Sequence, residues 1–141
     1  MTASTIPDLD LRVEDLMTID PVTVSADATI EEAEELLRRN RITGLPVVDV
    51  SGRLVGVISQ TDLLYLAMPS VQALIRHRDS GIRVGEVMST PPITIDGELR
   101  IGAAARVMDE GRLHRLVAVD RTGRPIGVIS AMDFVRLAAE G

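Results

Sequence analysis

An internal repeat constrains this sequence more than any other feature. Sliding the chain against itself by 71 positions aligns Val13–Ala67 with Val84–Ala138 without a gap, and 19 of the 55 aligned pairs are identical. The run Gly56-Val57-Ile58-Ser59 recurs as Gly127-Val128-Ile129-Ser130. Compositional bias does not place glycines, prolines and aspartates in one register, so the chain is expected to fold as two copies of one supersecondary unit.

The repeat divides the chain into four predicted segments. These are an N-terminal tail (1–12), a first repeat (13–67), a connector (68–83) and a second repeat (84–138). Hydrophobic periodicity and turn residues predict β-α-β-β-α in each copy. The predicted strands are Val22–Val24, Leu45–Val48 and Leu54–Ile58, with Ile93–Ile95, Leu116–Val119 and Ile126–Ile129 as their counterparts.

Local signals place the helices and turns. Thr29 with Glu32 three residues later fits a capping box at the start of the first long helix. Turns are predicted at Ser51-Gly52 and Thr122-Gly123, and closing helices near Thr61 and Met132. In the connector, Pro69-Ser70 is typical of the start of a short helix.

Composition excludes several kinds of chemistry. All 15 basic residues are arginine, so the lysine of a P-loop or of Schiff-base catalysis is missing. The absence of cysteine excludes thiolate nucleophiles and zinc ribbons. With His77 and His114 the only histidines, a histidine-rich metal site is not expected.

Charge and hydropathy narrow the function classes further. A net charge of −6 and two aromatic residues argue against nucleic-acid binding, which uses basic patches and stacking rings. No apolar run approaches the ~18 residues of a membrane span. No secretion signal is read at the N-terminus, so a soluble, cytoplasmic protein is expected.

The motif Ser59-Gln60-Thr61-Asp62 supports two interpretations. Serine, threonine and aspartate are preferred helix caps, and an acidic side chain is favourable at a helix start. The same arrangement of hydroxyl and carboxylate can bind phosphate and ribose. The motif recurs as Ser130-Ala131-Met132-Asp133. Because Met132 cannot cap a helix while the serine and aspartate persist, the recurrence favours the ligand interpretation.

His114-Arg115 precedes the buried strand of the second repeat. Two adjacent donors beside a cleft suit an anionic phosphate, although a single histidine is more often structural. Ser59 or Ser130 would need a base to act as a nucleophile, and neither lies in a G-x-S-x-G elbow. The residues therefore favour a binding module over an enzyme, with no catalytic residue and no metal site.

The most specific stretches of the first repeat are Thr43-Gly44-Leu45-Pro46-Val47-Val48-Asp49 and Gly56-Val57-Ile58-Ser59-Gln60-Thr61-Asp62. With their second-copy partners, they make each repeat resemble a cystathionine β-synthase (CBS) domain and the pair resemble a tandem CBS module. His114-Arg115-Leu116-Val117-Ala118-Val119-Asp120 is similar to the last CBS repeat of the AMP-activated protein kinase gamma subunit. The resemblance implies an α/β (α+β) fold in which two β-α-β-β-α repeats pack sheet to sheet about a pseudo-twofold axis, leaving two clefts.

The resemblance also implies the residues that bind a ligand. Asp62 and Asp133 match the aspartates that hold ribose hydroxyls, and Ser59, Thr61 and Ser130 match hydroxyls near the ribose or phosphate. Val22 and Ile93 match positions beside the adenine, Thr43 lines the base or phosphate, and His114 and Arg115 match phosphate donors. Asp133 is expected to work with Val22 and Thr43, and Asp62 with Ile93 and His114.

The expected ligand is AMP, ADP or ATP in an inter-repeat cleft of a stand-alone regulatory module. Such a module would signal through an effector protein or through assembly, and the family suggests a homodimer. S-adenosylmethionine, NAD(H) or a ligand-free structural or protein-interaction role remain alternatives. Met132 in place of Thr61, Val117 in place of Pro46 and Arg115 in place of Gly44 predict that the two clefts differ.

Overall fold

A computed structural model of the chain describes residues 10–76 and 81–140. It contains seven helices and seven strands in those residues, grouped into two compact units. One unit comprises Val22–Pro92, and the other joins the residues up to Pro21 to those from Ile93 onward. A mixed α+β fold with two small sheets, as the sequence predicts, is confirmed.

The unit Val22–Pro92 is built on a three-stranded sheet. Its elements are β2 (Val24–Ser25), α2 (Ile30–Asn40), β3 (Gly44–Val48), β4 (Leu54–Ser59), α3 (Gln60–Leu66), α4 (Pro69–Ile75) and α5 (Val84–Val87). Strand β3 lies in the centre, parallel to β2 and antiparallel to β4. Leu45, Val47 and Ile58 are fully buried between the sheet and α2 in an aliphatic core.

The other unit is built on a four-stranded sheet. Its elements are α1 (Val13–Leu16), β1 (Thr18–Ile19), β5 (Thr94–Ile95), α6 (Ile101–Gly111), β6 (Arg115–Val119), β7 (Pro125–Ser130) and α7 (Ala131–Glu140). The strand order is β1-β7-β6-β5, with β5 and β6 parallel and the other pairs antiparallel. Leu116, Ala118 and Ile129 form its core with Ala104 and Met108 of α6.

The compact units do not follow the sequence repeats, because the leading segment of each repeat packs with the body of the other. The amide of Val13 donates to Leu99 O at 2.8 Å, and the amide of Val84 donates to Ala28 O at the same distance. Both valines are fully buried. The repeat boundaries given above stay a prediction, since they describe the sequence and not these units.

A glycine in the second hairpin strand of each unit, β4 or β7, accommodates the segment that arrives from the other repeat. A Cβ atom added at Gly56 in β4 would lie 2.5 Å from Met88 Sδ and 2.9 Å from Ser89 O. Gly127 in β7 faces Met17 in the same way. The matched glycines and methionines of the repeat are therefore packing partners.

The predicted hairpins are confirmed. In the first hairpin Asp49 Oδ1 accepts from the amides of Ser51 and Arg53 at 2.9 and 3.0 Å, and Gly52 adopts a φ of 86°. Asp120 repeats these bonds in the second hairpin. Hydrogen bonds lower the pKa of both aspartates below the ordinary value of 3.8, chiefly those from the hydroxyls of Ser51 and Thr122 and next those from the amides of Arg53 and Arg124.

The first strand of each repeat is shorter than predicted and begins later. Val22–Val24 becomes Val24–Ser25, and Ile93–Ile95 becomes Thr94–Ile95. Proline immediately precedes Val22 and Ile93 and cannot donate a ladder hydrogen bond, so pairing begins after it. In contrast, α2 begins as predicted: Thr29 Oγ1 accepts from the amide of Glu32 at 3.2 Å, which is one of the two bonds of the expected capping box.

The connector begins with the predicted short helix. Pro69 occupies the first turn of α4, and Val71 is buried with Leu66 and Ile82. Leu74 of the same helix is 80% exposed. His77 and Arg78 of the connector lie outside the described residues. None of the helices that the structure describes has the length and apolar character needed to span a bilayer.

Candidate functional site

The predicted site residues of each unit gather at one edge of its sheet. In the antiparallel pairs, Gly44 lies opposite Ser59 and Arg115 lies opposite Ser130. The start of one strand is therefore beside the end of the next, where a helix begins. This junction is closed by one backbone bond in each unit, from Gln60 N to Thr43 O and from Ala131 N to His114 O, both at 2.9 Å.

In the first repeat, Ser59 and Asp62 form a capping box. The amide and hydroxyl of Ser59 donate to Asp62 Oδ2 at 2.8 and 3.0 Å. The amide of Asp62 donates back to Ser59 Oγ at 3.3 Å. One carboxylate oxygen, Oδ2, therefore holds the start of α3, and the other, Oδ1, is directed elsewhere.

The second repeat has two of these bonds between Ser130 and Asp133. The amide and hydroxyl of Ser130 donate to Asp133 Oδ2 at 2.7 and 3.3 Å. Asp133, with 9% of its surface exposed, is the one buried charged residue among those that the structure describes. Again a single carboxylate oxygen serves the start of the helix.

These serine–aspartate bonds contradict one interpretation based on the sequence. On the sequence alone, the persistence of serine and aspartate around Met132 favours a ligand over a cap, but the bonds from the serine amide and hydroxyl to the aspartate carboxylate recur in the structure. The capping bonds join the first and fourth residues of the motif, so neither Thr61 nor Met132 takes part in them. Both of these side chains are exposed. Recurrence therefore does not distinguish the interpretations, and the ligand interpretation depends on the second oxygen.

The second oxygen of each aspartate has a partner that the sequence reasoning missed. Ser89 Oγ donates to Asp62 Oδ1 at 3.4 Å, and Arg136 Nη1 donates to Asp133 Oδ1 at 3.4 Å. The Arg136 contact had a local signal, since residues three apart face each other on a helix. No local signal indicated the Ser89 contact, because it depends on how the segment after α5 docks beside β4, where Ser89 pairs with Val57 in a β-bridge.

His114 and Arg115 lie beside Ser130, as their positions in the repeat predict. The His114 side chain is exposed, whereas Arg115 is half-buried, and this burial lowers the pKa of its guanidinium. A shallow groove of about 400 Å³ adjoins this junction, between the end of α6 and the start of α7. His114, Ala131 and Phe134 line its α7 side.

Val22 and Ile93 reach the same edges of their own sheets. The parallel register, with Val24 opposite Val47 and Thr94 opposite Val117, sets Val22 level with Leu45 and Ile93 level with Leu116. Val22 packs against the core and Ile93 is 50% exposed. Each edge thus carries the site residues of one unit, and the predicted pairing of groups from the two repeats stays a prediction.

The edges offer carboxylate, hydroxyl, imidazole and guanidinium groups. Across residues 10–76 and 81–140, no group of three or more histidine, aspartate or glutamate side chains is arranged to hold a metal ion. The chemistry that these edges support is hydrogen bonding to hydroxyls through Asp62 and Asp133, and to an anion through His114 and Arg115.

Comparison with known proteins agrees with this geometry. The family model described as "CBS domain" matches residues 13–68 and 84–140. The chain is 31% identical, over 96% of its length, to the chloroplastic CBS domain-containing protein CBSX1 of Arabidopsis thaliana. It spans less than two thirds of the length of the curated relatives that it matches, 64% in the case of CBSX1.

Two solved structures bear on the ligand. A crystal structure of Arabidopsis thaliana CBSX2 in complex with AMP is similar with a TM-score of 0.80 and 35% identity, covering 92% of this chain and 96% of that one. The CBS domain pair of protein MJ0100, in complex with 5-methylthioadenosine and S-adenosyl-L-methionine, has a TM-score of 0.80 and 25% identity, covering 92% and 97%.

Proposed function

The chain belongs to the CBS-domain family, and from that premise we propose that it is a regulatory module that binds an adenosyl ligand through Asp62, Asp133 or both. The observation that carries the proposal is that, in both aspartates, the two carboxylate oxygens have different roles. One oxygen holds the helix start, while the other lies at the sheet edge with one longer contact. A carboxylate oxygen in that position accepts from a ribose diol.

The ligand that we favour is a phosphorylated adenosine, namely AMP, ADP or ATP. The similar structures hold AMP, or 5-methylthioadenosine and S-adenosylmethionine, and these ligands share the adenosyl group. His114 and the half-buried Arg115 supply donors that suit a phosphate, and arginine binds it in a fork. S-adenosylmethionine and NAD(H) carry the same adenosine and are the competing ligands.

The other predicted site residues have supporting roles in this proposal. Val22 and Ile93 provide apolar contact for the adenine, and Ser59, Thr61, Ser130 and Thr43 provide hydroxyls for the ribose or the phosphate. The module has no catalytic role in this proposal. It acts by shifting a conformational or assembly equilibrium, and the shift equals the difference in ligand affinity between the two states.

The proposed assembly is a homodimer formed through α3 and α7. Both helices expose large apolar side chains, with Leu64 69% and Tyr65 59% exposed on α3, and Met132 54% and Val135 55% on α7; Leu64 and Val135 are equivalent positions of the repeat. Exposed apolar clusters of this kind mark interaction surfaces. A second copy is the partner that we propose, because a twofold contact needs a surface that can meet itself.

Light scattering after size exclusion measures this assembly directly. A dimeric mass that becomes monomeric in Leu64→Glu supports the proposal, and a monomeric mass in the unmodified protein rejects it. The cytoplasmic location belongs to the proposal too. The names of CBSX1 and CBSX2 place those relatives in the chloroplast, so cell fractionation provides its test.

Calorimetric titration tests the ligand. AMP, ATP, S-adenosylmethionine and NADH are titrated into the unmodified chain and into Asp62→Asn and Asp133→Asn, which preserve an oxygen acceptor for the cap. We expect saturable binding of an adenosine phosphate that one or both variants weaken by about tenfold or more. Glu31→Gln, on the exposed side of α2, is the control. An absence of binding at millimolar concentration rejects the proposal.

A further inference from the structure

The two aspartates that share the capping geometry differ in what meets their second oxygen. Asp133 Oδ1 receives the guanidinium of Arg136 at 3.4 Å, whereas Asp62 Oδ1 receives the neutral hydroxyl of Ser89 at the same distance. The position of Arg136 in the first repeat is occupied by Tyr65. The Asp133 edge therefore carries a cation, in contact with its carboxylate, that the Asp62 edge does not have at this position.

The two side chains of this ion pair differ strongly in their exposure to solvent. The Asp133 side chain is 11% exposed and the Arg136 side chain is 68% exposed. A guanidinium has five N–H donors in a rigid fork, and the contact with Asp133 uses one nitrogen, Nη1. At this exposure the Arg136 side chain is accessible to an anion from solvent.

A nucleotide presents its ribose hydroxyls and its phosphate on one sugar. A carboxylate that holds the hydroxyls and a cation in contact with that carboxylate are therefore complementary to the two polar ends of one ligand. Met132 provides no hydroxyl at the position of Thr61, so the second repeat lacks one polar group that the first repeat has. Arg136 lies one turn further along α7 and supplies a charged donor instead.

We propose that Arg136 is the specificity-determining residue of the Asp133 site, where it selects phosphorylated over unphosphorylated adenosine. The inference rests on the proposed function, because it assigns a ligand preference to one of the two aspartates. Arg136 acts through its own contact with the phosphate and through partial neutralisation of Asp133. Without it, a buried carboxylate would repel the phosphate of the same nucleotide whose ribose it holds.

A purely structural ion pair is the competing account of the same contact. Asp133 and Arg136 are three residues apart on one helix, and such pairs stabilise a helix only slightly. A structural pair predicts that loss of Arg136 affects AMP and adenosine equally. A specificity residue predicts that it affects AMP alone, and does so most strongly at low salt.

The test compares AMP with adenosine by calorimetry, in an Asp62→Asn background so that the Asp133 site is the one measured. Arg136→Gln removes the charge, Arg136→Lys keeps it, and Arg106→Gln on the exposed side of α6 is the control of equal charge. We expect Arg136→Gln to weaken AMP about tenfold and adenosine less than twofold. Arg136→Lys recovers part of the AMP affinity, and Arg106→Gln changes neither ligand.

Three outcomes overturn the inference. Equal weakening of AMP and adenosine by Arg136→Gln assigns Arg136 a structural role, and tighter binding of both shows that it competes with the ligand for Asp133. Loss of all binding in the Asp62→Asn background shows that Asp133 holds no nucleotide. Failure of the proposed function is distinguishable from these, since the unmodified chain would then bind neither AMP nor adenosine.

Discussion

Two glycine-to-alanine substitutions are predicted to change stability in opposite directions, because the two glycines meet different surroundings. The Cβ of Gly56→Ala would lie 2.5 Å from Met88 Sδ and 2.9 Å from Ser89 O. Ser89 O cannot retreat easily, since it accepts from the amide of Val57 at 3.0 Å. The Cβ of Gly102→Ala in α6 meets no atom within 4 Å.

The magnitudes follow from opposing contributions. Overpacking of a filled site costs about 1–3 kcal/mol, and replacing a strand glycine by alanine gains about 0.5–1 kcal/mol. Gly56→Ala is therefore expected to lose about 1–2 kcal/mol of unfolding free energy. Gly102→Ala has only the favourable contribution and is expected to gain about 0.4–1 kcal/mol.

Urea unfolding followed by circular dichroism measures both changes. With an m-value of about 1–3 kcal/mol/M, a loss of about 1.5 kcal/mol lowers the midpoint by about 0.5–1.5 M. In Gly56→Ala/Met88→Ala the loss should be smaller than the sum of the single losses, because the shortened side chain vacates part of the space. Equal or higher stability of Gly56→Ala, or strict additivity with Met88→Ala, would refute the close packing of Met88 and Ser89 against Gly56.

Three further predictions concern the caps, the hairpins and the ligand. Asp62→Ala removes the acceptor of two capping bonds and should lower the unfolding free energy by about 1 kcal/mol in the same assay, whereas an unchanged midpoint contradicts the cap. Hydrogen bonds hold the pKa of Asp49 and Asp120 below 3.8, so both aspartates stabilise the folded state above about pH 4 and lose this effect as the pH falls through the folded pKa. The difference in unfolding free energy between the unmodified chain and Asp120→Asn should therefore shrink from pH 6 to pH 3. A difference that stays constant over this range contradicts the prediction. AMP at about 100 times its dissociation constant should add about 2.7 kcal/mol of stability and raise the melting temperature, and an unshifted melt contradicts native-state binding.

Most of each repeat could be predicted because local signals coincide with the final contacts. Alternating apolar residues and a turn glycine define each hairpin, and Thr29 caps α2 as its position indicates. The exchange of leading segments could not be predicted. In a duplicated sequence, Met17 can meet Gly56 or Gly127 with the same local fit, and only tertiary packing decides that it meets Gly127.

The candidate site was predictable to the same extent. The motif indicated Ser59, Asp62, Ser130 and Asp133, and strand register then brought Arg115 opposite Ser130. The motif did not indicate which carboxylate oxygen holds the cap, because that depends on side-chain rotation at the helix start. The sequence could not predict the Ser89 contact for a related reason. Ser89 is 27 positions from Asp62 and approaches it only because the segment after α5 docks beside β4.

A ¹H–¹⁵N correlation spectrum recorded during an AMP titration tests the central claim most directly. Adenosyl binding at the capped helix starts should move the amide signals of Ser59 and Asp62, of Ser130 and Asp133, or of both pairs, in a saturable manner. The amides of Glu31 and Arg106, on the exposed sides of α2 and α6, should stay in place. Spectra unchanged at millimolar AMP, or changes confined to residues away from both aspartates, would contradict the account.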